Sequence, residues 1–454
     1  MIFGIDKQTE RDLNIFPQTK GDLSVLDYYN LTATKGGRVE LESMMRAPSN
    51  KPLEIEYRIS AIKFIHNNAF SFNLDRRGLH SVDLYLSLST PILSNNLIYS
   101  IGSWIDYQLN KNNEYYLIFK GVEYVRIHLQ TLSILSEKVD QSDAPPFFKE
   151  LKAEIEEIRS IPAFKMLLEA AHTSIHFRQL SRYDNLIRGQ EKARISNLLR
   201  LTYLLDAFTS LAKTAKDKKL AFPVLIKSPK PYINIEGIFH PFFENPVLND
   251  IDLNDNSNLC FVSGANMAGK SSFLKSVGLC VYLAHIGFPV PASAMEASIF
   301  SGLYSTINLS DNIVQGYSYY YSEVKRVKEI ALMIKEKKRV FVIFDELFRG
   351  TNVKDAYDAT LMITAGFTKL KNSLFFVSTH IVEVCQELEK LNTITFKQLD
   401  SILEDGKPIY SYKLKNGISS ERLGLTIVKN EKIMEIIEEI VQNEGMQKNH
   451  SSQQ

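Results

Sequence analysis

Between residues 20 and 215 apolar positions return every three or four residues, as in "LSVLDYYNLTATKGGRVELESMM" and "ISNLLRLTYLLDAFTSLAKTA". That spacing lays an apolar stripe along a helix, so this half is expected to be helical. In "SDAPPFFKELKAEIEEIRSI" Ser142 or Asp143 is the capping candidate ahead of Pro145 and Pro146, and Ser160-Ile161-Pro162 ends the helix that follows. From about residue 221 short β-prone runs replace the stripe: "LCFVS" at 259–263, "RVFVIF" at 339–344 and "SLFFVS" at 373–378, with helical stretches between them. Such alternation predicts a mostly parallel sheet with helices on both faces. The charges and prolines of "KDKKLAFPVLIKSPKP" mark the change of texture. "TITFKQLD" and "IYSYKL", divided by Glu404-Asp405-Gly406-Lys407-Pro408, read as a late antiparallel hairpin.

The chain therefore divides into an N-terminal extension (1–20), a helical domain (21–220), an α/β domain (221–430) and a C-terminal helix with a polar, frayed tail (431–454). Its 454 residues are about three times a typical domain of roughly 150, which accommodates that division. With 53 basic and 52 acidic side chains the net charge is +1, so contact with nucleic acid has to come from local patches. Cys260, Cys280 and Cys385 lie far apart in apolar surroundings without a C-x-x-C pair, as buried thiols in a reducing compartment would. The N-terminus "MIFGIDKQTERDLN" lacks the pattern of a signal peptide, and no apolar run reaches the roughly 18 residues of a membrane span. A cytoplasmic location without membrane contact is expected.

Chemistry concentrates in the second half. Gly264-Ala265-Asn266-Met267-Ala268-Gly269-Lys270-Ser271, followed by Ser272, fits the phosphate-loop pattern and lies between an expected strand and an expected helix. Bare amides and the positive end of the helix suit a polyphosphate. Lys270 would reach the β- and γ-phosphates and Ser271 would ligate Mg2+. A glycine-rich turn with a chance lysine is the alternative for this motif taken alone. The run Val340 to Phe344 ends in Asp345-Glu346, at the strand edge where ligands of parallel sheets collect. Asp345 suits Mg2+, and Glu346 is the candidate base for an attacking water. Taken alone, such a pair could equally cap a surface strand. Ser373 to Ser378 ends in Thr379-His380, bringing an imidazole to the same edge. Lys/Ser, Asp/Glu and His at three successive strand ends predict a nucleoside triphosphate site.

In this order, "GANMAGKSS", "DELFRGTN" and "VSTH" resemble the ATPase domain of the MutS mismatch-repair proteins, the Asn266-Met267 pair especially. "SDNIVQGYSYYYSE", Ser310 to Glu323, is similar to the MutS version of the ABC signature loop, with Gly316 and Ser318 in its key places. "YKLKNGISSERLGLTIVK" is similar to the segment closing that domain. Upstream, "TKGGRVELESMMRAPSNKPLEIEYRISAIKFI" resembles the start of the helical core, and "INIEGIFHPFF" its junction with the ATPase. The likeness runs over roughly residues 20 to 430. It implies an α/β P-loop ABC-type ATPase domain preceded by a mostly α-helical core/lever domain, with ATP and Mg2+ as cofactors. Catalytic roles fall on Glu346, His380, Lys270 and Ser318, with Ser318 acting in trans across a homodimer. The resemblance also implies that ATP clamps two heads together around DNA, with additional repair proteins among the candidate partners.

The chain departs from that family in several places. Before residue 20 there is no room for a mismatch-reading domain and connector, so a short form without direct mismatch reading is expected. Phe148-Lys149-Glu150 and Phe242-Phe243-Glu244 match the Phe-x-Glu mismatch signature without that domain around them. Pro246-Val247-Leu248 stands where the family offers an aromatic residue to adenine, which leaves base recognition unassigned. Tyr317 and Tyr319 replace the common Arg and Thr of the signature loop, either to line a dimer seam or to pack. The basic runs "KTAKDKKL" and "KEKKR" are candidate phosphate contacts or solvated faces. Two readings stay open: an ATP-driven clamp on DNA, and an ABC-like switch acting on a protein or ribosome. A small-molecule kinase fits poorly with a signature loop.

Overall fold

The computed structural model describes residues 3–68, 74–93, 113–139, 143–169, 177–265, 267–307, 319–379, 381–404, 407–419 and 432–441. The chain forms two compact units. One holds residues 25–219 with 286–289, and the other holds residues 1–24, 220–285 and 290–454.

The helical unit is built on helix Lys192–Lys218, whose Leu198, Leu201, Leu205 and Phe208 are fully buried. Helices Lys35–Arg46, Pro52–Asn67 and Pro146–Ser160 lie against it. Buried Asp206 accepts hydrogen bonds from Ala33 N, Thr34 N and Thr34 Oγ1 at 2.9, 2.8 and 2.7 Å, which ties the start of Lys35–Arg46 to the central helix. Arg188 and Asp184, also buried, pair at 2.6 Å. Asp184 further accepts from Tyr85 Oη at 2.9 Å and Leu93 N at 2.8 Å, so the desolvated carboxylate is well supplied with donors.

Helix Pro146–Ser160 starts directly at its second proline, and no side chain caps it. The sequence suggested Ser142 or Asp143 for that task. Proline in the first turn removes an amide that would otherwise need a cap, so the cap has less to do. Ser142 lies outside the described residues. Phe148, of the first Phe-x-Glu match, is buried against Phe147 and Phe64, which makes it a core residue.

The second unit contains two sheets. The larger has the strand order β10-β9-β4-β8-β7-β6, where β4 is Leu259–Gly264, β6 Leu303–Thr306, β7 Phe341–Phe344, β8 Leu374–Ser378, β9 Ile394–Glu404 and β10 Lys407–Asn416. All neighbours are parallel except the β9–β10 hairpin at the edge. A smaller sheet orders β1 (Val224–Ile226), β5 (Ala294–Ser298), β2 (Tyr232–Ile238) and β3 (Asn249–Asn254). Strands β4, β7 and β8 are buried on both faces, as a parallel sheet between helices requires. Phe344, Phe367 and Phe375 stack there with ring centroids 5.5 and 4.8 Å apart. Cys260, Cys280 and Cys385 are buried free thiols.

Residues 3–20, read from sequence as an extension, are built into this unit, and so are residues 21–24. Gly4 bridges Gly302, Asp6 pairs with Arg326 at 2.6 Å, and buried Thr9 and Asp12 reach the backbone of β6 and its following residue. Their polar side chains satisfy the edge strand β6. Among the described residues no helix is long and apolar enough to cross a membrane.

Candidate nucleotide site

Strands β4, β8 and β7 are adjacent, so the three chemistry-bearing strand ends of the sequence meet along one edge of the sheet. The turn after β4 depends on Gly264, whose φ is +149° and whose Cα faces Leu399 O so closely that an added Cβ would come within 2.9 Å of it. A side chain there would push the loop off the sheet. Lys270 begins helix Lys270–Ile286, and its Nζ donates to Gly264 O at 2.8 Å and Ala265 O at 3.1 Å. Burial lowers the Lys270 ammonium from its usual range, while Glu346 and Asp345 pull it back up. Met267 is exposed on the loop, Ala268 is buried beneath it, and Asn266 lies outside the described residues.

Ser271 Oγ donates to Asp345 Oδ2, and Ser378 Oγ donates to Asp345 Oδ1. One carboxylate thus joins the ends of all three strands. Burial raises the Asp345 carboxyl above its usual range, Glu346 adds to this, and the two serine hydroxyls and Lys270 oppose it. Glu346 follows in the left-handed region at φ +52°, unusual for a side-chain-bearing residue and recurrent at functional sites. Its amide donates to Ser378 O and Oγ at 3.2 and 3.1 Å, which holds that conformation. Its carboxylate stands 4.0 Å from Lys270 Nζ and 3.7 Å from Arg349 Nη1.

A hydroxyl and a carboxylate that already touch, beside a phosphate loop, are the oxygen donors a small hard cation takes when phosphate and water complete its shell. The residues therefore fit Mg2+. His380 and Ser318, the other catalytic candidates, lie outside the described residues, as does Gly316.

Beside the loop opens a cavity of about 450 Å³, largely apolar, whose walls include His240, Phe243, Val247, Met267, Ser272 and Tyr412. It abuts Gly269, the residue before Lys270. Burial, aided by Lys275, lowers the His240 imidazole to about 4, so at neutral pH it presents an uncharged ring.

Among known protein families, residues 260–448 match MutS domain V. The C-terminal half is MutS-like. The DNA mismatch repair protein MutS of Anaplasma phagocytophilum is 30% identical over 226 residues, which are 49% of this chain and 27% of that protein. The DNA mismatch repair protein spellchecker 1 of Drosophila melanogaster is 26% identical over 247 residues, 53% of this chain and 26% of that protein. MutS of Petrotoga mobilis is 26% identical over 278 residues, 60% of this chain and 34% of that protein. The aligned stretch thus spans about a quarter to a third of these relatives.

The MutS domain V match takes in the phosphate loop, Asp345, Glu346 and Ser378, but not the cavity wall at 238–249 or residues 3–24. Sequence reasoning missed Ser378, Glu323 and the cavity. Ser378 was only the last letter of a strand. Glu323 is buried on helix Tyr319–Lys337 and accepts from Gly350 N at 3.3 Å, anchoring the turn that follows Glu346. The cavity wall had one signal, the ring-rich "FHPFF". Of the tyrosine run, Tyr320 packs on Phe348 with centroids 5.9 Å apart, while Tyr317 lies outside the described residues.

Proposed function

We propose that the protein is a Mg2+-dependent ATPase of MutS type, with the triphosphate held by residues 264–272. The observation that carries this reading is the contact of Ser271 and Ser378 with one Asp345 carboxylate, with Glu346 fixed beside Lys270. Loop amides and Lys270 bind and orient the phosphates. Ser271 and Asp345 would hold Mg2+, which when bound neutralises charge developing on the phosphoryl oxygens. Glu346 takes the proton of the attacking water as its oxygen bonds to the γ-phosphorus and the bond to the β–γ bridging oxygen breaks. Phe243, Val247 and Tyr412 supply an apolar slot for the base, where stacking replaces the aromatic residue missing at Pro246-Val247-Leu248.

His380 is assigned to the γ-phosphate or the water, and Ser318 to the γ-phosphate of a second copy, so that ATP closes a homodimer. The relatives' names point to DNA as the clamped ligand. Lys270→Ala should abolish nucleotide binding, and Glu346→Gln should retain ATP while slowing single-turnover cleavage about 100-fold or more. Normal turnover in both variants would overturn the assignment. Mixing Ser318→Ala with Lys270→Ala protein should restore one composite site per heterodimer, and no recovery would argue against action in trans. Shift assays with duplex, heteroduplex and four-way junction, beside RNA and ribosomes, separate the DNA clamp from a switch on another partner.

A further inference from the structure

The helical unit carries a second concavity with its own chemistry. A cavity of about 330 Å³ lies where the first turns of helices Lys35–Arg46 and Arg76–Leu86 meet, lined by Lys35, Gly36, Arg76, Arg77, His80 and Asp83 around Tyr203. Arg76 and His80 are four residues apart on one helix face and Arg77 and His80 three apart, so all three border the same opening. Lys35 approaches from the other helix.

Charge decides what this cleft can take. Lys35, Arg76, Arg77 and His80 are exposed, and among the described residues none of the three permanent cations forms an ion pair, whereas Arg46, Lys51, Lys120 and Arg194 of the same unit each have a carboxylate. The acid in the lining, Asp83, is engaged by the Tyr203 hydroxyl. The helix amides add little, because Gly37 N already bonds Thr34 and Arg77 and Gly78 N already bond Asp75. Attraction therefore rests on side chains, and two guanidinium forks beside an ammonium match phosphate oxygens better than a single carboxylate. The wall is rigid: Tyr203 lies against Gly36 so closely that a Cβ on Gly36 would overlap its ring.

We propose that this cleft binds a phosphate-bearing ligand, either the phosphodiester backbone of nucleic acid or a free polyphosphate, independently of the nucleotide site. The test uses the full chain and its Lys35→Gln/Arg76→Gln/Arg77→Gln variant, with fluorescein-labelled 30-bp duplex DNA and inorganic tripolyphosphate as probes. Unchanged ATPase activity without DNA serves as the check on folding. For a backbone ligand, the variant should bind duplex about 10- to 100-fold more weakly at low salt. The slope of log affinity against log salt should also shrink by about 0.9 for each phosphate that the variant no longer neutralises. For a free polyphosphate, the weakening appears with tripolyphosphate alone, measured with Lys270→Ala added to both proteins so that the phosphate loop does not take the probe. Arg76→Lys/Arg77→Lys should recover part of either effect, since charge remains without the fork. Equal affinity of wild type and variant for both probes, or no binding of either by wild type, overturns the proposal. Neither result touches the Lys270 assignment, which fails only on nucleotide binding.

Discussion

Asp12 Oδ2 accepts hydrogen bonds from Ser305 Oγ at 2.6 Å and from Ile307 N at 2.9 Å, joining the N-terminal segment to the exit of strand β6. Asp6 makes the companion contact to Arg326 on helix Tyr319–Lys337, so residues within the first twelve hold both strand β6 and that helix. Asp12→Ala would strand a buried hydroxyl and a buried amide. Hydrogen bonds to charged groups contribute roughly 1.5–3 kcal/mol each, so a loss of about 2–4 kcal/mol in urea unfolding is expected. An unchanged midpoint would mean that this grip adds nothing to the stability of the fold.

Ser378 donates to Asp345, the Mg2+ ligand we propose, and a residue that orients a metal ligand typically changes metal affinity 10- to 100-fold. Ser378→Ala should therefore shift the Mg2+ dependence of ATP hydrolysis to about 10-fold higher concentration while saturating Mg2+ restores most of the rate. The same substitution also deprives Glu346 N of one of its two acceptors. A Mg2+ titration identical to wild type would show that Ser378 supports only the strand.

The apolar cavity beside Gly269 gives a prediction that separates base from phosphate. Tyr412→Ala removes one wall, and an aromatic stacking contact is worth about 0.5–1.5 kcal/mol beyond the area it buries. KM for ATP should rise about 10-fold with little change in kcat, whereas affinity for tripolyphosphate at the loop should stay constant. A parallel weakening with both ligands would place Tyr412 in support of the loop instead.

His285 is fully buried, with Nδ1 donating to Val281 O at 2.8 Å and Nε2 accepting from Phe300 N at 2.9 Å, which fixes the neutral tautomer. Burial lowers its imidazole to about 4, against about 6.5 in an unfolded chain. Above pH 6.5 neither state holds the proton and its contribution is complete. Between 6.5 and 4 the unfolded chain takes a proton that the folded site refuses, so stability falls by up to about 1.4 kcal/mol per pH unit. Below 4 the decline levels off. Imidazole NMR should find a His285 ring that stays neutral at pH 5.5, and a midpoint near 6.5 would contradict the buried tautomer.

That the phosphate loop, Asp345-Glu346 and the end of strand β8 share one sheet edge was legible because they sit at the ends of short apolar runs. The phosphate loop follows β4 and Asp345-Glu346 follow β7, on either side of β8, for that reason. The late hairpin was legible too, from two alternating runs divided by Glu404-Asp405-Gly406-Lys407-Pro408. Asp12, Ser378 and Tyr412 were not. Each acts through a partner remote in sequence, Ser305, Asp345 and the loop glycine respectively, and a polar or aromatic residue carries no local sign of which distant group it will meet. The cap of helix Pro146–Ser160 failed for a local reason, since its prolines make a cap dispensable. The cationic cleft was illegible because Lys35 and Arg76 belong to different helices, and an overall charge near zero conceals a local excess.

The discontinuity of the α/β unit has a consequence for its synthesis. Residues 3–12 leave the ribosome before the helical unit, and their partners Gly302, Ser305 and Arg326 follow only after most of that unit has been made. Contacts of such long range close late, because a large chain loop must be ordered before they form. Until those partners emerge, residues 3–12 lack the strand edge they seal, and that closure spans about 300 residues of chain.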